Sequence, residues 1–197
     1  WGMLEEPSPT LLAPGAIVPL RGQHALARAL VLLADAPELE GLVTIVAGET
    51  GKRNAYAEQL GSIVRRGRLV GKVFLSPPLD DLPAAILLAD AVVSLPMEPL
   101  GQDPVASMAM ALGKPLIGAR HGATAEAVED GATGRLATPT DPDDVAAAIR
   151  DIFGRSPAER AKLANVAKAR ARAYFSTAAA ALATVRLYGA LAASTAH

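Results

Sequence analysis

The sequence predicts an α/β fold, a doubly wound Rossmann-like parallel sheet of about six strands with two extra C-terminal helices. Three observations carry that prediction. Short apolar runs of strand length alternate with segments of helical spacing as far as Phe153. The connections between them are short, which implies right-handed βαβ units rather than hairpins. After Phe153 the alternation stops, and two helical segments follow without an intervening strand.

The strand runs are Leu11 to Val18, Leu42 to Ala47, Lys72 to Leu75, Ala91 to Leu95, Pro115 to Gly118 and Gly134 to Ala137. Between and after them lie helical patterns at Gln23 to Ala36, Arg53 to Arg66, Leu82 to Ala89, Pro104 to Leu112, Thr124 to Glu129 and Asp143 to Ile152. Asp103 followed by Pro104 marks one helix start sharply, because a carboxylate caps free N–H groups and proline suits the first turn. Ser156 caps the helix Pro157 to Tyr174, whose later cations Lys162, Lys168, Arg170 and Arg172 read as solvated charges near a negative dipole end. The last helix, Thr177 to about Ala193, repeats apolar residues at Leu182, Val185, Leu187 and Leu191. It is expected to pack back across the sheet or onto a neighbouring domain.

Composition narrows the function. Nineteen Lys plus Arg balance 20 Asp plus Glu for a net charge of −1, so no basic field is aimed at nucleic acid. Alanine, 42 of 197 residues, dominates a 51% hydrophobic chain with only 4% aromatics, which suits closely packed helices over an all-β core. Cysteine is absent, excluding disulfides and thiolate metal ligands. The three histidines, His24, His121 and His197, stand too far apart in sequence to suggest a zinc site. The chain begins with Trp1 rather than Met, as a piece of something longer would.

Ligands of doubly wound sheets bind beyond the carboxyl ends of the strands, and candidate residues cluster at those ends. Pro14-Gly15-Ala16-Ile17-Val18-Pro19-Leu20-Arg21-Gly22 leaves the first strand for a helix, where N–H groups and a positive dipole end suit a phosphate and Arg21 adds a bidentate clamp. Gly48-Glu49-Thr50-Gly51 follows the second strand in the same way; both segments also read as ordinary turns. Met97-Glu98-Pro99-Leu100-Gly101-Gln102 breaks the fourth strand into a loop before the Asp103 cap, a position that often carries function. His121-Gly122 and Asp130-Gly131 flank a short helix bearing Glu126, which reads as a structural cap or ion-pair residue; His121 is placed to bond a phosphate or a sugar hydroxyl.

Val92-Val93-Ser94-Leu95-Pro96 with Glu98-Pro99, then Met108 to Ile117 containing Gly113-Lys114-Pro115, then His121-Gly122 and Glu126 to Gly134, resembles the C-terminal domain of family 4 retaining glycosyltransferases. Trp1-Gly2, Leu11 to Gly22 and Asp81 to Asp90 extend the resemblance over nearly the whole chain. It implies one half of a GT-B fold, two Rossmann-like domains facing across a cleft, in which this half chiefly holds the nucleotide-sugar. Residues 1–154 then form the nucleotide-sugar-binding domain, and 155–197 are helices packing on it or on a missing N-terminal acceptor-binding domain.

The family's pattern also shows departures. It sets Gly-Arg at the first strand end and Lys-Gly soon after, the two cations embracing the donor diphosphate; here these positions hold Gly15-Ala16 and Arg21-Gly22. It also has two glutamates with seven residues between them, the first near the transferred sugar and the second on the ribose hydroxyls. Counting back from Gly113, they fall on Leu100 and Met108; alternatively Glu98-Pro99-Leu100-Gly101 is the shifted equivalent, with Glu98 as the catalytic glutamate. The unshifted register preserves the usual length from Ser94 to Gly113. Pro77 replaces a glycine in the loop nearest the base and removes an N–H donor, which Ser76 replaces only in part.

The resemblance therefore implies the donor-binding half of a glycosyltransferase serving a glycan or lipid acceptor, inactive on its own. Glu98 is its catalytic candidate, and Gly15, Arg21, Gly48, His121 and Gly122 are its donor contacts. No metal or other cofactor is expected. The expected location is cytoplasmic, with peripheral membrane association through the other domain. A degenerate, noncatalytic domain acting by protein contact or weak sugar binding is the alternative, and another GT-B or doubly wound nucleotide-binding protein, such as a nucleotide-sugar epimerase, is a third reading.

Overall fold

The computed structural model describes residues 8–50 and 55–194. Six strands form one sheet: β1 (Thr10–Pro14), β2 (Val43–Ala47), β3 (Val73–Ser76), β4 (Ala91–Ser94), β5 (Leu116–Ala119) and β6 (Gly134–Ala137). Every pairing is parallel and the order is β3-β2-β1-β4-β5-β6. The helices are α1 (Gln23–Leu32), α2 (Ala55–Arg66), α3 (Leu82–Leu88), α4 (Pro104–Leu112), α5 (Gly122–Ala127), α6 (Pro142–Gly154), α7 (Pro157–Tyr174) and α8 (Thr177–Ser194).

Alternate residues along each strand divide the core into two layers, as a sheet covered on both faces requires. Leu11, Val93 and Ile117 face a cluster built with Leu26 and Leu30 of α1, Leu60 of α2 and Ile149 of α6. Leu12, Val92 and Leu116 face the opposite cluster, with Ile86 of α3, Met110 of α4 and Ala127 of α5. The helices lie close because alanines sit at the contacts, and Ala167 and Ala171 of α7 fit against that second layer beside α4.

Several ends differ from the sequence expectation. β1 stops at Pro14, not Val18, because Gly15 turns the chain at φ 132°. α1 ends at Leu32, four residues early, where the chain tightens into turns before Pro37. α5 starts at Gly122, two residues sooner than expected. The start of the second helix at Arg53, the residues Trp1-Gly2 and Gly51 lie outside the described residues.

The C-terminal helices bring one correction and narrow one expectation. Arg170 is not a solvated charge: its guanidinium donates to the carbonyls of Ala127 (2.6 Å) and Glu126 (2.9 Å) at the end of α5. It also pairs with Glu129, so it acts as a C-cap reaching across from another helix. α8 does not pack across the sheet. Its main contact is with α7, and Leu182, Val185, Leu187, Tyr188 and Leu191 are all more than half exposed. An 18-residue window of this end has a mean hydropathy of 1.3 with none of it buried.

Candidate functional site

The strand order reverses direction between β1 and β4, which opens a crevice beyond their carboxyl ends. The loops on that edge are stitched into one rim by backbone hydrogen bonds. The Gly15 N–H donates to the Ala47 carbonyl at 2.8 Å and the Ile17 N–H to the Glu49 carbonyl at 2.9 Å, tying the β1 exit to the β2 exit. Gly48 N–H donates in turn to Ser76 at the end of β3, at 3.1 Å. The two loops touch so closely that a Cβ on Gly48 would overlap the Gly15 carbonyl.

The rim continues towards β5. Gly22, in the left-handed region at φ 71°, starts α1 at a point where a Cβ would overlap the Leu95 carbonyl after β4. Met97 N–H donates to the Leu20 carbonyl at 2.9 Å. His121 places Nε2 3.0 Å from the Pro96 carbonyl; a carbonyl only accepts, so Nε2 carries the proton. Ala123 N–H donates to the Leu100 carbonyl at 2.8 Å, beside Gly122 at φ 62°.

These contacts set the candidate residues along a single edge. Gly15 and Gly48 come together in the wall of an open cavity of about 300 Å³, whose other lining residues include Ala16, Glu49, Pro78 and Leu79. Arg21, Glu98, His121 and Gly122 stand further along the rim, on the loops after β1, β4 and β5, and do not line that cavity. Arg21 is half-buried in the 3-10 turn Pro19–Arg21, and its guanidinium has no partner among the described residues. Glu98 is exposed on its loop, and its carboxylate likewise has no partner among them. The Glu126 side chain is exposed and unpaired too; the carbonyl, not the carboxylate, of that residue meets Arg170.

The positions that the resemblance matches to glutamates are apolar in their surroundings as well. Met108 is half-buried against the α3–α4–α5 layer, and Leu100 is half-buried beside the α5 start. Asp103 is 7% exposed and fully engaged: Oδ1 accepts from Ala106 N–H at 3.1 Å, and Oδ2 accepts from the Thr124 hydroxyl at 2.7 Å. It locks α4 to α5 and leaves no free capping oxygen for a ligand.

One network is absent from the sequence reading. Gln23, 5% exposed, donates from Nε2 to the Ala16 carbonyl at 2.8 Å and lies 3.3 Å from the Tyr56 hydroxyl. That hydroxyl accepts the His24 N–H at 2.9 Å and sits 3.0 Å from its Nδ1. Burial, with Arg28 nearby, lowers the His24 pKa below 6.5, and burial raises that of Tyr56 above 10. Both shifts favour the neutral groups that hold the β1–α1 loop. The only sequence signal was a glutamine at a position facing the core. Among the described residues, no group of three or more His, Asp or Glu side chains is placed to hold a metal ion.

Known proteins resemble this chain in sequence and in fold. Residues 8–155 match the family model described as Glycosyl transferases group 1. A D-inositol 3-phosphate glycosyltransferase from Streptomyces coelicolor is 33% identical over 167 residues, 83% of this chain and 36% of that protein. An MMP alpha-(1->4)-mannosyltransferase from Mycolicibacterium hassiacum is 32% identical over 175 residues, 88% of this chain and 41% of the relative. The chain thus spans about two fifths or less of the curated relatives it matches. The crystal structure of Anabaena HepE in complex with UDP superposes with a TM-score of 0.82 at 25% identity, covering 92% of this chain and 49% of HepE.

Proposed function

The chain belongs to the group 1 glycosyl transferases, and on that premise we propose that it is the donor-binding half of a family 4 retaining glycosyltransferase. That enzyme moves a sugar from a nucleotide-sugar to an acceptor such as a glycan or a lipid. The observation that carries this reading is the rim itself. Five loops converge at the switch point of the sheet, and the cation Arg21 waits there unpaired at the N-terminal end of α1. The UDP complex of HepE supports a nucleotide-sugar as the ligand.

In this reading Arg21 meets the diphosphate charge, a task a fixed guanidinium performs with paired hydrogen bonds and without a metal ion, while the N–H groups of Gly15 and Gly22 stay bound to the Ala47 and Pro19 carbonyls and hold the loop. Gly48 belongs to the wall on the nucleoside side. His121 and the Gly122 turn meet the sugar, and the Glu98 carboxylate sits where positive charge grows at the anomeric carbon as the diphosphate leaves. Residues 1–154 carry the donor site, and 155–197 reach towards an N-terminal acceptor-binding domain. That domain, in the cytoplasm, provides any peripheral attachment to a membrane.

A second reading is a degenerate domain that binds sugars weakly or only contacts protein. Ala16 in place of a clamp cation and the half-buried, apolar Met108 favour it. Incubating the chain with uridine and guanosine diphosphate sugars and titrating it with the nucleoside diphosphates separates the readings. The donor-half reading expects binding without sugar transfer. Turnover by this chain alone overturns the half-enzyme picture, and no binding at millimolar ligand supports the degenerate domain.

A further inference from the structure

α5 is six residues long, and a helix so short does not hold itself in water. Its first turn is tied to the loop after β4. The Ala123 N–H donates to the Leu100 carbonyl, and the Thr124 hydroxyl to Asp103 Oδ2. Its other end is closed from α7. Arg170 donates through Nε to the Ala127 carbonyl and through Nη2 to the Glu126 carbonyl, two of the groups that a helix end leaves unbonded. Nη1 pairs with Glu129, and the Tyr174 ring, one turn further along α7, lies 5.0 Å from the guanidinium carbon. The neighbouring helix is met in a related way. The Lys168 side chain lies against Gly113, the left-handed C-cap of α4, so closely that a Cβ there would overlap its Cε. Thus α4 and α5 each carry a rim loop at one end and meet a cation of α7 at the other.

We infer that Arg170 is a positioning residue for the donor site: from behind α5 it fixes the His121–Gly122 turn against the transferred sugar. The inference rests on the donor-half reading above. Gly122 lies only about 9 Å along the axis from the carbonyls that Arg170 holds, at 1.5 Å per residue, so the direction set at one end of α5 is felt at the other. His121 makes no side-chain cap bond to α5, and its ring is committed to the Pro96 carbonyl; its place therefore follows the helix. A planar guanidinium spans two carbonyls in one fixed geometry, whereas a lysine ammonium is a point charge on a flexible stem. The seating of α7 does not depend on the guanidinium, because Leu163, Ala167 and Ala171 bury its apolar face. Direction and stability are thus carried by different residues, and the C-terminal helices belong to the donor site as well as facing another domain.

The test titrates the chain with uridine diphosphate and UDP-glucose, and with guanosine diphosphate and GDP-mannose, for wild type, Arg170→Ala, Arg170→Lys and Glu129→Gln. Amide chemical shifts of the free proteins are compared first. Arg170→Ala should move the amides of residues 121–128 and leave those of the sheet in place, which also checks the fold. It should then weaken the nucleotide-sugar by about fivefold or more and the bare diphosphate by less than about twofold, because the diphosphate is met by Arg21. Arg170→Lys, which keeps the charge without the two-carbonyl span, should recover only part of the loss. Glu129→Gln removes the ion pair, keeps both carbonyl contacts and should bind like wild type. Equal weakening of sugar and diphosphate, full recovery by lysine, or unmoved amides at 121–123 overturns the positioning role and leaves the donor reading intact. A wild type that binds each nucleotide-sugar no tighter than its diphosphate denies the turn a sugar contact and overturns the inference. Failure of all four ligands to bind overturns the donor reading, and the inference with it.

Discussion

Two charged regions of this molecule are built on opposite principles. Behind β5 and β6 five charged side chains are paired with one another: Arg120 and Arg135 both hold Asp130 at 3.0 Å, Arg135 reaches Asp151 at 3.0 Å, and Arg155 holds Asp151 at 2.7 Å. Asp130 also accepts the Leu136 N–H at 3.0 Å, which satisfies a donor on the sheet's edge strand. On the rim beyond β1, β2 and β4, by contrast, Arg21, Glu49 and Glu98 have no partner among the described residues, although the backbone around them is thoroughly hydrogen-bonded. The first region spends its charges on closing an edge. The second keeps its backbone fixed and its charges free, as a ligand site must.

The contrast is sharpened most by attacking the rim's backbone. Gly22→Ala forces a left-handed alanine against the Leu95 carbonyl and should cost more than about 2 kcal/mol in denaturant unfolding. A small loss would mean that the β1 and β4 loops are not held as tightly as the rim requires. Removing a rim charge should do the reverse. Arg21→Ala is expected to leave the melting temperature nearly unchanged and to weaken nucleoside diphosphate binding by about tenfold or more, the value of a charge-assisted contact. A drop in stability with unaltered binding would assign Arg21 to the fold instead.

The smallest effect concerns the paired region. Partial burial opposes the charge on Asp130, but the Leu136 N–H and the Arg120 and Arg135 guanidinium groups outweigh it, so the carboxyl lies below its ordinary 3.8. A lowered folded value stabilises the protein above the unfolded pKa, and that stability is lost as pH falls through the folded value. Asp130→Asn keeps the Leu136 bond and removes the charge. It should therefore cost under about 1 kcal/mol at pH 7, and the difference from wild type should vanish as pH drops below 3.8. A difference that persists in acid would show that the pairing is not what Asp130 contributes.

The sequence foretold much of the fold, for identifiable reasons. Asp103-Pro104 and Ser156-Pro157 mark helix starts that local chemistry dictates, and both appear at those residues. β1 ends four residues before its apolar run does: Ala16, Ile17 and Val18 are apolar enough for a strand, but the Gly15 turn decides the matter. Arg170 has the local pattern of a solvated cation because its partners lie 43 and 44 residues away on α5. The edge carrying Gly15, Arg21, Gly48, Glu98, His121 and Gly122 was legible, since each follows a strand. The Gln23–Tyr56 contact is not: a hydroxyl 33 positions from its partner leaves no local signal.

Chemical-shift mapping of a guanosine diphosphate titration tests the central claim most directly. The account predicts perturbations concentrated at residues 15–23, 48–49, 95–101 and 121–123, with the amides of Asp130, Arg135, Asp151 and Arg155 unmoved. Shifts centred on that paired cluster, or none at millimolar nucleotide, would contradict the claim that the free-charge rim is the ligand site.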